Sequence, residues 1–293
     1  MKALYDWIGI TRQGMHQGYR RYKDRETQVT QTLFLAREVR SQHPGMGCRD
    51  LYYACRSHMP RGRDWTERTL MEHGFGISPS RSFTRSTGYA LADRIAGKTL
   101  THPNQVWQTD ITYVWAGNRW QYVSFVIDVY TRQIRSYQCT QNLSTEPQLE
   151  LLTKALRGLD QKQRRGLIVH TDRGSQYGPR FTQWVERHGM VHSMAHYAWQ
   201  NAYCERLHRT MKKNYLRFYP SNTVDDLHKS VAIAVNRYNQ EKPHSGLPQR
   251  MAPDEFFRAF QARKYSDYTE TIWCEQKNNN QITRKKTSTY TRH

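Results

Sequence analysis

Three carboxylates stand where they could share a metal. Asp110 lies inside Trp107-Gln108-Thr109-Asp110-Ile111-Thr112, a run composed like a β-strand. Asp172 follows the short apolar run Leu167-Ile168-Val169-His170, and Glu205 opens a helical pattern at Asn201-Ala202-Tyr203-Cys204-Glu205. Acids on a central strand, at the end of its neighbour and on an abutting helix can converge. Such a cluster repels itself unless cations bind, and hard divalent ions, Mg²⁺ or Mn²⁺, suit all-oxygen ligands. Two ions about 3.5–4 Å apart can activate a nucleophile and stabilise the leaving oxygen of a phosphodiester. Each acid alone has a plainer reading, since an Asp after a strand usually closes a turn or caps a helix. Asp128, in Ile127-Asp128-Val129, is assigned such a structural role at the end of its strand.

The neighbours of Glu205 lift the trio above that plain reading. Arg209 and Lys212 follow it by four and seven residues. At about 100° per residue the three fall within about 60° of one another on a helix. One polar face thus pairs a metal-ligand candidate with two phosphate-binding candidates, while Leu207, Met211, Tyr215 and Phe218 form an apolar stripe. The bland alternative is a solvated face with one Glu–Arg pair. His170, His188, His192, His196 and His208 cluster in sequence, and His192 and His196 are spaced i, i+4. A zinc site would need them on one helix or hairpin with a further ligand. Val191-His192-Ser193-Met194 reads as a strand, so polar histidines near DNA are preferred to zinc.

The elements that must position these residues are legible. Val106–Trp115, Gln121–Val129 and Gln133–Cys139 are rich in Val, Ile, Tyr, Trp and Thr and predict a three-strand meander. Gly117-Asn118 separates the first two strands and Thr131-Arg132 the next. Ser144-Thr145-Glu146-Pro147 opens a helix with Leu149, Leu152, Leu156 and Leu159 inward, and Phe181, Trp184 and Val185 mark another. Two later helices span 202–218 and 224–239, the second capped by Thr223 and Asp226. This order predicts an α/β domain with a mixed sheet covered by helices.

Residues 1–90 predict short helices: Thr27–Gln42, a second around Leu51 and Tyr52, and a third capped by Asp64 with Glu67. They suit a small helical, helix-turn-helix-like DNA-binding domain or a generic helical bundle. Residues 91–104 read as a linker, 105–261 as the catalytic core with its C-terminal helices, and 262–293 as a polar basic tail.

Of 293 residues, 45 are Lys or Arg and 25 Asp or Glu, a net charge of +20. The excess is spread, with +8 in residues 1–100, +8 in 101–260 and +4 in 261–293. A detachable arm would have concentrated it, so a long footprint on a polyanion, usually nucleic acid, is expected. The mean hydropathy of −0.92 excludes an integral membrane protein. Five scattered cysteines, with no closely spaced pair, suggest neither a disulfide framework nor a zinc knuckle. The first ten residues lack a secretion signal, so a cytoplasmic protein of the bacterial nucleoid fits best.

Taken together, the motifs resemble a known family. Trp107–Thr112 looks like the first-acid motif of the retroviral-integrase-like DDE superfamily, His170–Tyr177 like its second, and Asn201, Ala202 and Glu205 like its third. Tyr238-Asn239, Pro243-His244, Leu247 and Ala252–Phe256 resemble the segment after its core. In this order, over about residues 30–257 of a basic chain, they resemble the insertion-sequence-three family of transposases, as the product of its second reading frame. The resemblance implies an RNase H-like core, two catalytic ions bound by Asp110, Asp172 and Glu205, and DNA cleavage followed by strand transfer. It also implies Asn201 near the DNA end, DNA ends and target as partners, and a homo-oligomer. An upstream-frame partner protein is a further possibility. The chain departs from the pattern in having a shorter spacing between Asp172 and Glu205. Competing readings are a Mg²⁺-dependent nuclease on the same fold, a non-catalytic transposase-derived DNA-binding regulator, and a tyrosine recombinase acting through a covalent adduct.

Overall fold

The structure, a computed structural model, describes Gly9 and residues 11–77 and 89–272. The chain divides into two compact units, Met1–Ser80 and Arg81–His293.

In the first unit, α1 (Arg12–Gln42), α2 (Cys48–Ala54) and α3 (Arg63–Glu72) enclose a small core of Ala36, Met46, Cys48, Leu51 and Leu70. Apolar spacing predicted the first helix only from Thr27, yet it begins at Arg12. The Thr11 hydroxyl accepts from the Gly14 N–H at 3.0 Å and caps it. Residues 11–27 are exposed, so no apolar stripe announces them. Arg, Gln, Lys and Glu hold that stretch helical by intrinsic propensity. Asp64 is not the cap of α3. Gly62 occupies that position, and Asp64 lies in the first turn, where negative charge still suits the helix dipole.

In the second unit, β2 (Val106–Ala116), β3 (Arg119–Asp128) and β4 (Ile134–Thr140) form the expected meander. Gly117 and Asn118 turn the hairpin with φ of +58° and +60°. Positive φ at both central residues is the two-residue turn that matches strand twist, and Gly and Asn are the residues that tolerate it. Beside β2 lie β5 (Ile168–Thr171) and β6 (Val191–Met194), giving the order β4-β3-β2-β5-β6. The meander is antiparallel, and the β2–β5 and β5–β6 pairs are parallel.

Two helical layers cover this sheet. On one face, α4 (Thr145–Ala155) and α6 (Pro179–Arg187) pack Leu151, Leu152, Phe181 and Val185 against Trp107 and Val126. On the other, α7 (Ala202–Met211) and α8 (Val224–Gln240) pack Leu207, Met211 and Val231 against Phe125 and Ile127. The short α5 (Gln161–Arg164) leads into β5. Thr223 and Asp226 cap α8 reciprocally, as expected. This mixed α/β arrangement is the RNase H-like one.

β2 pairs with β5 only through Val106, Trp107 and Gln108. β4 pairs with β3 only as far as Tyr122. The β2–β3 hairpin therefore runs on past both neighbours, and the acids gather where that overhang begins.

Three expectations need correction. Residues 91–104 are not a bare linker: Ile95 and Leu100 are core residues, and β1 (Thr99–Leu100) is a strand. Residues 262–272 are not tail: α9 (Pro253–Gln261) is followed by a return that ends in β7 (Glu270–Thr271), antiparallel to β1, with Ile272 buried. Apolar residues at irregular intervals, such as Tyr265, Tyr268 and Ile272, carry no period to read. Buried Arg132 meets Glu270 at 2.6 Å and fastens this return. Phe218, expected on the apolar stripe, is exposed. A π-helical turn at Lys212–Leu216 follows α7, and its wider winding turns later residues off the stripe. Most of the Ser-rich stretch at 78–88 and the basic run Arg284-Lys285-Lys286 lie outside the described residues.

Candidate active site

β2 carries Asp110, the loop leaving β5 carries Asp172, and the first turn of α7 carries Glu205. Asp110 and Asp172 are half-buried and Glu205 is exposed. The Asp110 side chain is 19% exposed. Its Oδ1 accepts from the Ile111 N–H at 2.8 Å, and Asp172 Oδ1 accepts from the Gly174 N–H at 2.9 Å.

The three charges act on one another. Burial, followed by the charges of Asp172 and Glu205, holds the Asp110 carboxyl well above the usual carboxylate range. The Ile111 N–H and the Lys212 ammonium oppose that rise. Burial raises Asp172 and Glu205 too, against the Gly174 N–H for the first and Arg209 for the second. Within the Asp110–Asp172 pair, Asp110 is the site that keeps a proton longest, being the more desolvated and facing both other acids.

Arg209 is exposed and lies within electrostatic reach of Glu205. Lys212 is half-buried and drawn to Asp110; burial lowers its pKa and Asp110 raises it. Asn201 departs from the expectation of a residue reaching DNA. It is 3% exposed, and its amide points back to the Thr109 carbonyl at 3.5 Å. The chain ahead of α7 must cross β2 closely to deliver Glu205, and that crossing buries Asn201.

Several supporting residues were not singled out in the sequence. Gln108 is fully buried, and its Oε1 accepts from the Tyr203 and Cys204 N–H groups at 3.1 and 3.2 Å. Its Nε2 donates to the Gln200 carbonyl at 3.1 Å. One side chain on the strand of Asp110 thus satisfies the free N–H groups at the start of the helix that carries Glu205. Gln200 in turn donates to Asp93 at 2.6 Å. The signal for Gln108 was present, since it lies two residues before Asp110 on the same strand.

The histidines are not polar surface groups. His170, His192 and His208 are buried, and burial pushes them down to about 4, 3 and 3. His208 Nδ1 stands 3.5 Å from Asp110 Oδ2 as a neutral imidazole. His192 bridges Thr171 and Thr182, hydrogen-bonding their hydroxyls at 3.1 and 2.8 Å. Asp128 has the structural role expected of it: it is buried and accepts from the N–H groups of Asn104, Tyr130 and Thr131.

Among the described residues, no three His, Cys, Asp or Glu side chains are close enough to form a ready metal cage. The donor chemistry nonetheless fits a divalent cation. Asp110 and Asp172 each commit one oxygen to a backbone N–H, leaving the other oxygen of each pair. Their mutual repulsion, together with Glu205, is what a hard cation relieves.

Residues 101–197 and 189–253 match two families, each described as integrase core domain. The chain is similar to the "Insertion element IS600 uncharacterized 31 kDa protein" of Shigella sonnei, 33% identical over 64% of this chain and 71% of that protein. It is also similar to "Transposase InsF for insertion sequence IS3A" of Escherichia coli strain K12, 29% identical over 43% of this chain. That match spans 46% of the relative's length. Among solved structures, the HTLV-2 integrase catalytic core domain in complex with magnesium aligns over 53% of this chain and 97% of that one. Its sequence identity is 16% and its TM-score 0.39.

Proposed function

The chain belongs to the insertion-sequence-3 family of DNA transposases, in the retroviral integrase-like superfamily, and on that footing we propose that Asp110, Asp172 and Glu205 are its catalytic acids. It is a polynucleotidyl transferase of the DDE type. The observation that carries the site reading is the meeting of three mutually repelling carboxylates where β2 runs past the end of β5.

The three acids would hold two Mg²⁺ or Mn²⁺ ions. Such ions, when bound, supply Lewis-acid stabilisation of charge on the attacking and leaving oxygens of a phosphodiester. Gln108 fixes the start of α7 and so the approach of Glu205 to Asp110. Neutral His208 fills the space behind Asp110 without adding charge. In cleavage, water attacks phosphorus and a DNA 3′-oxygen leaves. In strand transfer, that 3′-hydroxyl attacks a target phosphodiester, one P–O bond forms and one breaks, and the target's 3′-oxygen departs with the proton. No bond to the protein forms.

Arg209 and Lys212 bind phosphates of the DNA end beside the acids. The chain works as a homo-oligomer that pairs two ends on target DNA, with an upstream-frame protein as a possible addition, in the bacterial nucleoid. Among the described residues, no helix is long and apolar enough to cross a membrane.

Asp172→Asn should keep DNA binding and lower metal-dependent cleavage and joining by about a thousandfold or more. Retained activity in that variant would sink the assignment. A substrate that already ends in a free 3′-hydroxyl separates a transposase from a nuclease, because a nuclease yields no joined product.

A further inference from the structure

We infer that Tyr113, Trp115, Trp120 and Tyr122, on the β2–β3 hairpin beyond the acids, form a stacking surface for unpaired DNA bases. The inference rests on the functional reading above and adds the part of the DNA that this side of the site would hold.

The register sets Tyr113 opposite Tyr122 and Trp115 opposite Trp120. Each pair meets edge to face, with ring centroids 5.3 Å apart. Successive side chains alternate across a strand, so both pairs lie on one face of the hairpin. That face is uncovered. Its nearest helix, α4, reaches Ser124 through Gln148 at 3.2 Å and stops one position short of Tyr122. Tyr113 is 40% exposed, Trp115 53% and Trp120 55%.

Cross-strand aromatic pairs also steady a hairpin. That role asks only that each ring touch its partner, and it leaves two half-bare tryptophans at the tip unexplained. Position and charge point to DNA as the occupant. Tyr113 lies three residues along the strand from Asp110, close enough for the charges of Asp172 and Asp110 to act on its phenol. The surface is therefore continuous with the site of chemistry. Between Asp110 and Asp128 the hairpin has no carboxylate, and its one charged side chain is Arg119. A strand held at the acids would meet aromatic faces and a cation, with no negative charge to repel it. The two pairs are spaced by about 7 Å along the strand, twice the rise of about 3.4 Å between bases in a DNA strand. Base–aromatic stacking is indifferent to sequence and suits an end that must open before it is cut or joined.

The test uses the full chain, a blunt DNA duplex, and the same duplex carrying a single-stranded tail with 2-aminopurine in it. Wild-type protein should quench the 2-aminopurine. Trp115→Ala/Trp120→Ala should bind the tailed duplex about tenfold more weakly and lose the quench. Its salt dependence and its affinity for the blunt duplex should stay unchanged, because no phosphate contact is lost. Trp115→Leu/Trp120→Leu keeps apolar contact without an aromatic face and should behave like the alanine variant, while Trp115→Phe/Trp120→Phe should restore the signal. Quenching and tail affinity that survive in the leucine variant overturn the proposal. So does a change of oligomeric state in sedimentation with tail binding intact, which would make the surface a contact between copies. Asp172→Asn protein should still quench. The two readings therefore fail separately: cleavage surviving Asp172→Asn removes the site assignment, and a wild-type chain that cleaves without quenching removes the stacking surface.

Discussion

Asp128 and Asp110 sit on paired strands and are furnished in opposite ways. Asp128 closes β3, is buried, and receives the N–H groups of Asn104, Tyr130 and Thr131 at 2.6, 2.9 and 2.8 Å, with the Trp107 indole N–H at 3.3 Å. Asp110 receives one backbone N–H, faces a neutral imidazole, and looks toward two more carboxylates. A carboxylate surrounded by donors holds a turn in place. One that is desolvated and left short of donors is poised for a cation. The sequence alone does not separate them, since both are strand aspartates; the supply of donors does.

The largest expected effect falls on that contrast. Asp128→Ala should lose about 3 kcal/mol of stability, because several buried N–H groups lose their acceptor. Asp110→Asn should lose none. Measured by denaturant unfolding in chelator near neutral pH, it should match or exceed wild type, since it removes a desolvated and repelled charge. The sign follows from the raised pKa of Asp110: the folded chain holds a proton there that the unfolded chain releases earlier, so this contribution to stability is lost as pH rises through the folded value. If the two variants destabilise equally, the comparison breaks.

Gln108→Ala sharpens it next. With Glu205 no longer held to the strand of Asp110, turnover should fall about ten- to a hundredfold, with DNA affinity near wild type. Gln108→Glu should not rescue, because it adds a fourth negative charge and cannot donate to Gln200. An equal loss of binding and turnover would argue for general misfolding.

Smaller effects belong to the rim and the far side of the helical layer. Arg209→Ala and Lys212→Ala should each flatten the dependence of log affinity on log salt by about 0.9; an unchanged slope would mark the side chain as merely solvated. Thr223→Ala removes one half of the α8 cap and should cost about 1 kcal/mol, with cleavage rates untouched.

The sheet order and the three acids were within reach of the sequence for a physical reason. β2 and β3 are long, β-branched and aromatic, and each acid stands at the edge of such a run. What stayed hidden was what depends on tertiary closeness. Asn201 reads as a polar residue ahead of an acid, and nothing local reveals that the chain there presses on Thr109. His208 is one helical turn beyond Glu205, yet its burial against Phe125 follows only from the packing of α7 on the sheet. The half of α1 before Thr27 escaped because a wholly exposed helix has no apolar period, and the return through Ile272 escaped because its apolar residues are irregularly spaced.

The pairing of β1 with β7 has a mechanical consequence. Thr99 faces Thr271 and Leu100 faces Glu270, so the chain enters and leaves this small ladder at the same end. Tension drawn between the two sides of the catalytic unit would load its hydrogen bonds one after another, as in opening a zip, rather than all together in shear. This strap is therefore the place where pulling yields first, before force reaches the central strands that carry the acids.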